Sequence, residues 1–338
     1  MFRNAVRSVV SPESVRRAKW RLGEARDYYK FVHSALSDVD AVVVVGGGQL
    51  LKDNQFQFLP RLAAIAKVAN ENRLPLGIFG CGAGQMSHGE AESQLGEILA
   101  HAKFVCLRDS VSVENIRSIL GQRDVAVIPD VVFASSERGR TTRDRQLVNE
   151  RLVGINVMSY EILSRSGWHV QMSENEYVTG ISQLIEGAEA AGCKVCLFTT
   201  GDSADMLQIE SICRVMEGRT NAHFSFPDSP QMLLETVSRF SSVFSMRMHA
   251  GIVASAMGKA VAAIEWGGKV RACWEAFGDS QRVVDASVLC SNAPWMAIQE
   301  HLESPVSGTL LGLKPVMLET LRFVFWGKLR NPSAFSRV

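Results

Sequence analysis

The chain has 338 residues, more than one hydrophobic core usually serves, so two domains are the expectation. Its apolar share of 46% and charged share of 21% are those of a globular protein. Lys and Arg total 36 against 35 Asp and Glu, which excludes the basic excess of a general nucleic-acid binder. No apolar run reaches the ~18 residues of a membrane span. The N-terminus lacks the continuous apolar segment of a secretory signal. With an odd set of 7 cysteines in mostly apolar surroundings, these features point to a reduced, cytoplasmic protein.

Taken in chain order, residues 1–30 are basic and helix-like. The β-branched and apolar runs Ala41–Val45, Leu76–Phe79, Phe104–Leu107 and Val125–Ile128 then read as buried parallel strands. Between the first two, Phe58, Leu59, Leu62, Ile65, Ala66 and Val68 recur at helical spacing within Phe56–Asn70. A second helix is expected over Ser110–Leu120, capped by Asp109 or Ser110 and closed by Gly121. The polar stretch Ser135–Arg151 interrupts this rhythm and reads as a linker.

Strands resume at Leu152–Val157, Lys194–Phe198, Ala222–Phe226, Ser242–Ser245 and Ala260–Ile264. Helices are expected over Glu174–Ala191, Ala204–Met216, Pro230–Ser238 and His249–Met257. Cys193 and Cys196 have redox or zinc spacing but lie in a strand pattern with no second pair nearby, so packing is their expected role. The resulting expectation is α/β, with two Rossmann-like doubly wound domains facing a cleft. An N-terminal domain spans 1–135, a linker 136–150, a C-terminal domain 151–290 and C-terminal helices 291–338. The basic N-terminus and the basic, aromatic segment 318–330 would also suit peripheral contact with an anionic membrane surface. Terminal helices with basic outer faces explain them more simply.

In a doubly wound sheet, ligands bind beyond the carboxyl ends of the strands. Gly46, Gly47 and Gly48 follow the first strand, and Gly82 and Gly84 follow the second, where backbone can approach a ligand and offer N–H groups to an anion. Neither run has dinucleotide or P-loop spacing. Arg108 ends the third strand, where a guanidinium can fork onto carboxylate or phosphate. Ser245-Met246-Arg247-Met248-His249 follows a later strand and opens a helix, putting Arg247 and His249 where the helix dipole favours an anion. Lys269 follows the next strand. No cluster with metal-ligand spacing is present, and no metal is expected.

These residues resemble the polysaccharide pyruvyl transferase family over roughly residues 40–280. The matching pieces are Val45-Gly46-Gly47-Gly48, Gly82-Ala83-Gly84, Leu107-Arg108-Asp109-Ser110, Pro129-Asp130-Val131-Val132-Phe133, Val153-Gly154-Ile155-Asn156-Val157, Ser245-x-Arg247-x-His249 and Lys269. The Ser-x-Arg-x-His signature is the specific part. The resemblance implies a GT-B-like fold and transfer of the enolpyruvyl group of phosphoenolpyruvate onto a sugar of a bacterial exopolysaccharide or cell-surface glycan. A pyruvate ketal is the product. It implies catalysis by Arg247 and His249, with Arg108, Lys269 and the glycines binding substrate. It also implies phosphoenolpyruvate as co-substrate without a cofactor, and a glycan or lipid-linked oligosaccharide acceptor met at the inner face of the membrane. Two alternatives stay open. One is a GT-B nucleotide-sugar glycosyltransferase, for which Glu265 would hold the ribose. The other is a non-catalytic relative in a glycan assembly complex, since the family's Asn-x-Gly-Asp loop is not found in residues 1–39.

Overall fold

The computed structural model describes residues 17–46, 51, 58–86, 89–128, 130–132, 151–165 and 171–304. The chain divides into two compact units between Val131 and Val132. The expected linker at 136–150 and the basic segment at 318–330 fall outside the described residues. Among the described residues no helix is long and apolar enough to cross a membrane.

The first unit runs α1 (Ala25–Ala35), β1 (Val42–Val45), α2 (Leu59–Glu71), β2 (Leu76–Cys81), α3 (Gly89–His101), β3 (Ala102–Leu107), α4 (Ser110–Asn115), α5 (Arg117–Leu120) and β4 (Ala126–Val127). Its strands are all parallel in the order β1-β2-β3-β4. Strand alternation divides the core. Ile78, Val105 and Leu107 pack with Leu62 and Leu95 of the helices, while Phe79, Phe104, Cys106 and Ile128 cluster on the opposite face. Gly77 is required beneath that second cluster, because a Cβ there would lie 2.1 Å from Phe104 Cζ.

The helix expected over 110–120 is two short ones, broken where Ile116 leaves helical geometry at φ −122°. Asp109 caps the first by accepting from Ser112 N at 2.7 Å. Helix α3 was not anticipated, although Ala91, Leu95, Ile98 and Leu99 bury one stripe of it. The described strands of this unit follow one another across the sheet in chain order.

The second unit runs β5 (Leu152–Asn156), α6 (Tyr160–Arg165), α7 (Glu174–Ala190), β6 (Lys194–Phe198), α8 (Ser203–Val215), β7 (His223–Ser225), α9 (Pro230–Ser238), β8 (Ser242–Ser245), α10 (Met248–Ala256), β9 (Ala260–Glu265), α11 (Gly268–Ala276), β10 (Val283–Asp285) and α12 (Pro294–Glu303). Its parallel strands lie in the order β10-β9-β8-β5-β6-β7. The chain builds outward from β5 to β7, then returns to build from β8 to β10 on the other side. The order therefore reverses between β5 and β8, and the carboxyl ends of those two strands are the expected place for a ligand.

Local chemistry fixes the elements of this sheet. Ser173 and Glu176 form a reciprocal capping box at the start of α7. Gly154 in β5 leaves room for the Phe240 ring, which a Cβ would meet at 2.4 Å. Cys193 and Cys196 are buried free thiols, and burial raises the pKa of Cys196 to about 11. Strand β10 was not anticipated. Helix α12, expected as a separate C-terminal element, belongs to this unit and packs on α7 and β9. Its Trp295 occupies the space over Gly187, where a Cβ would come within 2.5 Å.

Candidate active site

The Ser245–His249 segment turns tightly from β8 into α10. Buried Ser245 donates from Oγ to the Arg247 carbonyl at 2.7 Å, closing the turn on itself. Arg247 is the extended N-cap residue of α10, at φ −83° and ψ 122°. Its own N–H donates to Asn156 Oδ1 at 2.7 Å, and Asn156 Nδ2 donates to the Phe198 carbonyl at 3.1 Å. One fully buried amide at the end of β5 thus ties the ends of β8 and β6 to it, at the reversal point of the sheet.

The Arg247 guanidinium lies along Asp205 in a bidentate fork, Nε to Oδ2 at 2.8 Å and Nη2 to Oδ1 at 2.9 Å. Asp205 is completely buried and also accepts from Ser159 N at 2.7 Å. A second carboxylate, Asp202, reaches Nη2 at 3.0 Å from a half-exposed position, while it caps α8 by accepting from Ala204 N at 2.9 Å. Burial opposes the charge on Arg247, but the hydrogen bonds and charges of Asp205 and Asp202 outweigh it. The guanidinium pKa is raised. Buried Tyr177 closes the floor, donating to the Met158 carbonyl at 2.6 Å. Burial, reinforced by the charge of Asp205, pushes the Tyr177 pKa upward and keeps the phenol neutral.

His249 is the second residue of α10 and is exposed, on a helix otherwise buried along most of its length. Such a close fit of helix to sheet needs Gly251, whose Cβ would meet Ser245 Oγ at 3.0 Å and Trp274 at 3.1 Å. Lys269, in the first turn of α11, sets its ammonium 4.0 Å from the centre of the Trp266 ring. The Trp266 indole N–H donates to the Met246 carbonyl at 2.6 Å. A single aromatic ring therefore links Lys269 to the backbone that carries Arg247. Glu265 is engaged by Arg271, whose Nε lies 3.0 Å from both carboxylate oxygens.

In the first unit the expected residues have the following surroundings. Arg108 is 2% exposed rather than reaching into solvent. It lies 3.3 Å from Asp109 and 3.7 Å from Asp130, because a guanidinium withdrawn from water requires carboxylate partners. Gly46 and Gly80 both have φ +66°, and Val131 packs over them at distances of 3.3 and 2.8 Å from where their Cβ atoms would be. Gly82 and Gly84 pair with Leu51 through backbone hydrogen bonds of 3.4 and 2.9 Å. Gly47 and Gly48 lie outside the described residues.

The fold thus gathers Arg247, His249 and Lys269 at the carboxyl edge of the second sheet. Arg108, Gly46, Gly82 and Gly84 belong to the other unit. Sequence reasoning gave no individual role to Asp202, Asp205, Asn156 or Trp266. The strand-end rule applied evenly would have found the first three, since Asn156 closes β5 and the two aspartates follow β6. Among the described residues no group of three His, Cys, Asp or Glu side chains is placed to hold a metal ion.

A family model described as polysaccharide pyruvyl transferase matches residues 2–268. No curated protein matches the chain. Among solved structures, a protein of Listeria monocytogenes named as a UDP-N-acetylglucosamine 2-epimerase is similar at TM-score 0.58 and 11% identity, over 89% of this chain and 79% of its own. The UDP-GlcNAc 2-epimerase of Methanocaldococcus jannaschii is similar at TM-score 0.56 and 11% identity, over 87% and 81%. That of Neisseria meningitidis, solved with UDP-GlcNAc, gives TM-score 0.52 and 13% identity over 93% and 83%. At such identities these likenesses show the fold alone, and the fold is GT-B-like.

Proposed function

The chain belongs to the polysaccharide pyruvyl transferase family, and from that premise we propose that it moves the enolpyruvyl group of phosphoenolpyruvate onto a sugar of a bacterial exopolysaccharide or cell-surface glycan. The observation that carries this reading is the placement of Arg247, locked by buried Asp205, two residues before exposed His249 at the N-terminus of α10 and at the reversal point of the sheet.

Phosphoenolpyruvate brings two anionic groups. Its first contacts are the N-terminus of α10, Lys269 and the Arg247 guanidinium, with one donor anion replacing half-exposed Asp202 on Nη2. Asp205 stays in place and keeps the guanidinium plane fixed. Arg108, buried between Asp109 and Asp130, takes no part in donor contact. His249 delivers a proton to the methylene carbon, which becomes a methyl group. The first sugar hydroxyl forms a bond to the adjacent carbon and loses its proton to a base. The bond from that carbon to the phosphate oxygen breaks and phosphate departs. A second hydroxyl of the same sugar then bonds to the same carbon and closes the ketal, its proton leaving with phosphate or the base. Phosphoenolpyruvate and a sugar diol become ketal and inorganic phosphate, with no cofactor. The reading places the reaction in the cytoplasm, on a glycan or lipid-linked oligosaccharide at the inner face of the membrane.

The test is incubation with phosphoenolpyruvate and a panel of lipid-linked glycans, following phosphate release and the ketal methyl signal by NMR. In parallel, melting is measured with phosphoenolpyruvate and with UDP. A rise with phosphoenolpyruvate and acceptor-dependent phosphate release are expected. A rise with UDP alone, with no phosphate from any acceptor, would overturn the reading.

A further inference from the structure

A groove of about 470 Å³ lies in the second unit beside the Arg247 site, bounded by α6, the start of α7 and one face of α8. Its polar lining includes Ser159, Tyr160, Glu161, Glu174, Gln208 and Ser211. Its volume is within the range of small-ligand sites, which begins at about 300 Å³. We propose that this groove holds a neutral saccharide unit of the acceptor glycan. The proposal rests on the reading of the protein as a pyruvyl transferase.

Four observations support a saccharide. First, the groove presents hydroxyls, an amide and two carboxylates, and no Lys or Arg is among its described lining residues. That set accepts and donates hydrogen bonds to sugar hydroxyls but repels a phosphorylated or carboxylated ligand. Second, Gln208 is only 5% exposed, and its Nε2 has no hydrogen-bond partner among the described residues, while its Oε1 accepts from Tyr160 N at 3.0 Å. A buried amide donor without a partner costs about 1–3 kcal/mol, which a turn of the Gln208 side chain toward a ligand acceptor in the groove would recover. Third, Leu207 lines the same groove at 64% exposure, an apolar surface suited to the C–H face of a pyranose. Fourth, the groove is joined to the reactive residues. Ser159 gives its N–H to Asp205, which grips Arg247, and Gln208 lies one helical turn beyond Asp205 on α8. A sugar seated there lies one side chain away from the guanidinium.

The experiment is saturation-transfer NMR on the full chain without phosphoenolpyruvate, using lactose, cellobiose and diacetylchitobiose as probes. It is run on the wild type, on Ser211→Trp, which fills the groove, and on the double variant Glu161→Ala/Glu174→Ala, which removes two exposed carboxylates without touching the core. Saturation transfer to at least one disaccharide is expected, weakened at least about tenfold in affinity in both variants. No transfer from any of the three, or equal transfer in wild type and both variants, overturns the proposal. The double variant keeps the test decisive if Ser211→Trp does not fold. Binding lost in the variants of a protein that never releases phosphate leaves the groove assignment standing and removes the transferase reading. Turnover whose acceptor KM ignores both variants does the reverse.

Discussion

Asp205 holds Arg247 along one edge of its guanidinium, through two hydrogen bonds of 2.8 and 2.9 Å, and it does so from a position with no exposure to solvent. The two residues stand on α8 and on the N-cap of α10, elements that the strand order brings together. A buried carboxylate is stable only when paired, and a paired guanidinium has a fixed plane. The same contact therefore stabilises the unit and aims the functional cation.

Breaking it should be costly. Asp205→Asn removes the charge that offsets the half-buried guanidinium, and stability should fall by on the order of 3 kcal/mol, read from urea unfolding. Arg247→Lys keeps a positive charge but cannot reproduce the fork, so turnover should fall at least about a hundredfold. An Arg247→Lys enzyme with wild-type kcat/KM would refute the role given to the fork.

His249 is exposed and forms no part of the core. His249→Ala should leave the thermal midpoint within a degree or two of the wild type while reducing phosphate release by roughly 10² to 10⁴, the usual contribution of a positioned acid or base. A variant that loses both folding and turnover would assign His249 to packing instead.

Asp202 is the exposed member of the pair around Arg247 and competes with an anionic donor for Nη2. Asp202→Asn keeps an oxygen to cap α8 and removes the competing charge. The KM for phosphoenolpyruvate should drop severalfold, by the order expected for relieving one exposed charge contact. A raised KM would show that Asp202 helps to hold the donor rather than standing in for it.

Gly77 and Gly154 lie beneath the rings of Phe104 and Phe240. Alanine at either site forces a buried aromatic ring aside and should cost about 1–3 kcal/mol, measurable as a lowered urea midpoint. Unchanged stability in both would mean that the rings have room to shift.

Burial raises the Cys81 thiol pKa from its ordinary 9.0 to about 12, with smaller opposing contributions from the Phe79 backbone and the charge of Arg108. An acid whose folded pKa is raised keeps its proton in the native state after the unfolded chain has lost it. The associated stability is therefore complete below pH 9 and declines as pH rises from 9 towards 12. Unfolding midpoints should fall through that window. At pH 8 Cys81 should resist a thiol reagent that modifies exposed Cys290. Fast labelling of Cys81 in the folded protein would contradict its burial.

Local sequence determined the elements. Runs such as Val42–Val45 and Leu76–Cys81 declare parallel strands by their β-branched and apolar content, although only the second is buried throughout, and most helices declared themselves by period and cap. The motif Ser245-x-Arg247-x-His249 was legible for the same reason, since a turn between strand and helix is a local event. Strand order is not local. The reversal between β5 and β8 brought Asn156 to the N–H of Arg247 and carried Asp205 to its guanidinium, across 91 and 42 positions of sequence. Only the tertiary structure could also show that Arg108 is enclosed between Asp109 and Asp130, because burial depends on everything packed around a side chain and not on its neighbours in the chain.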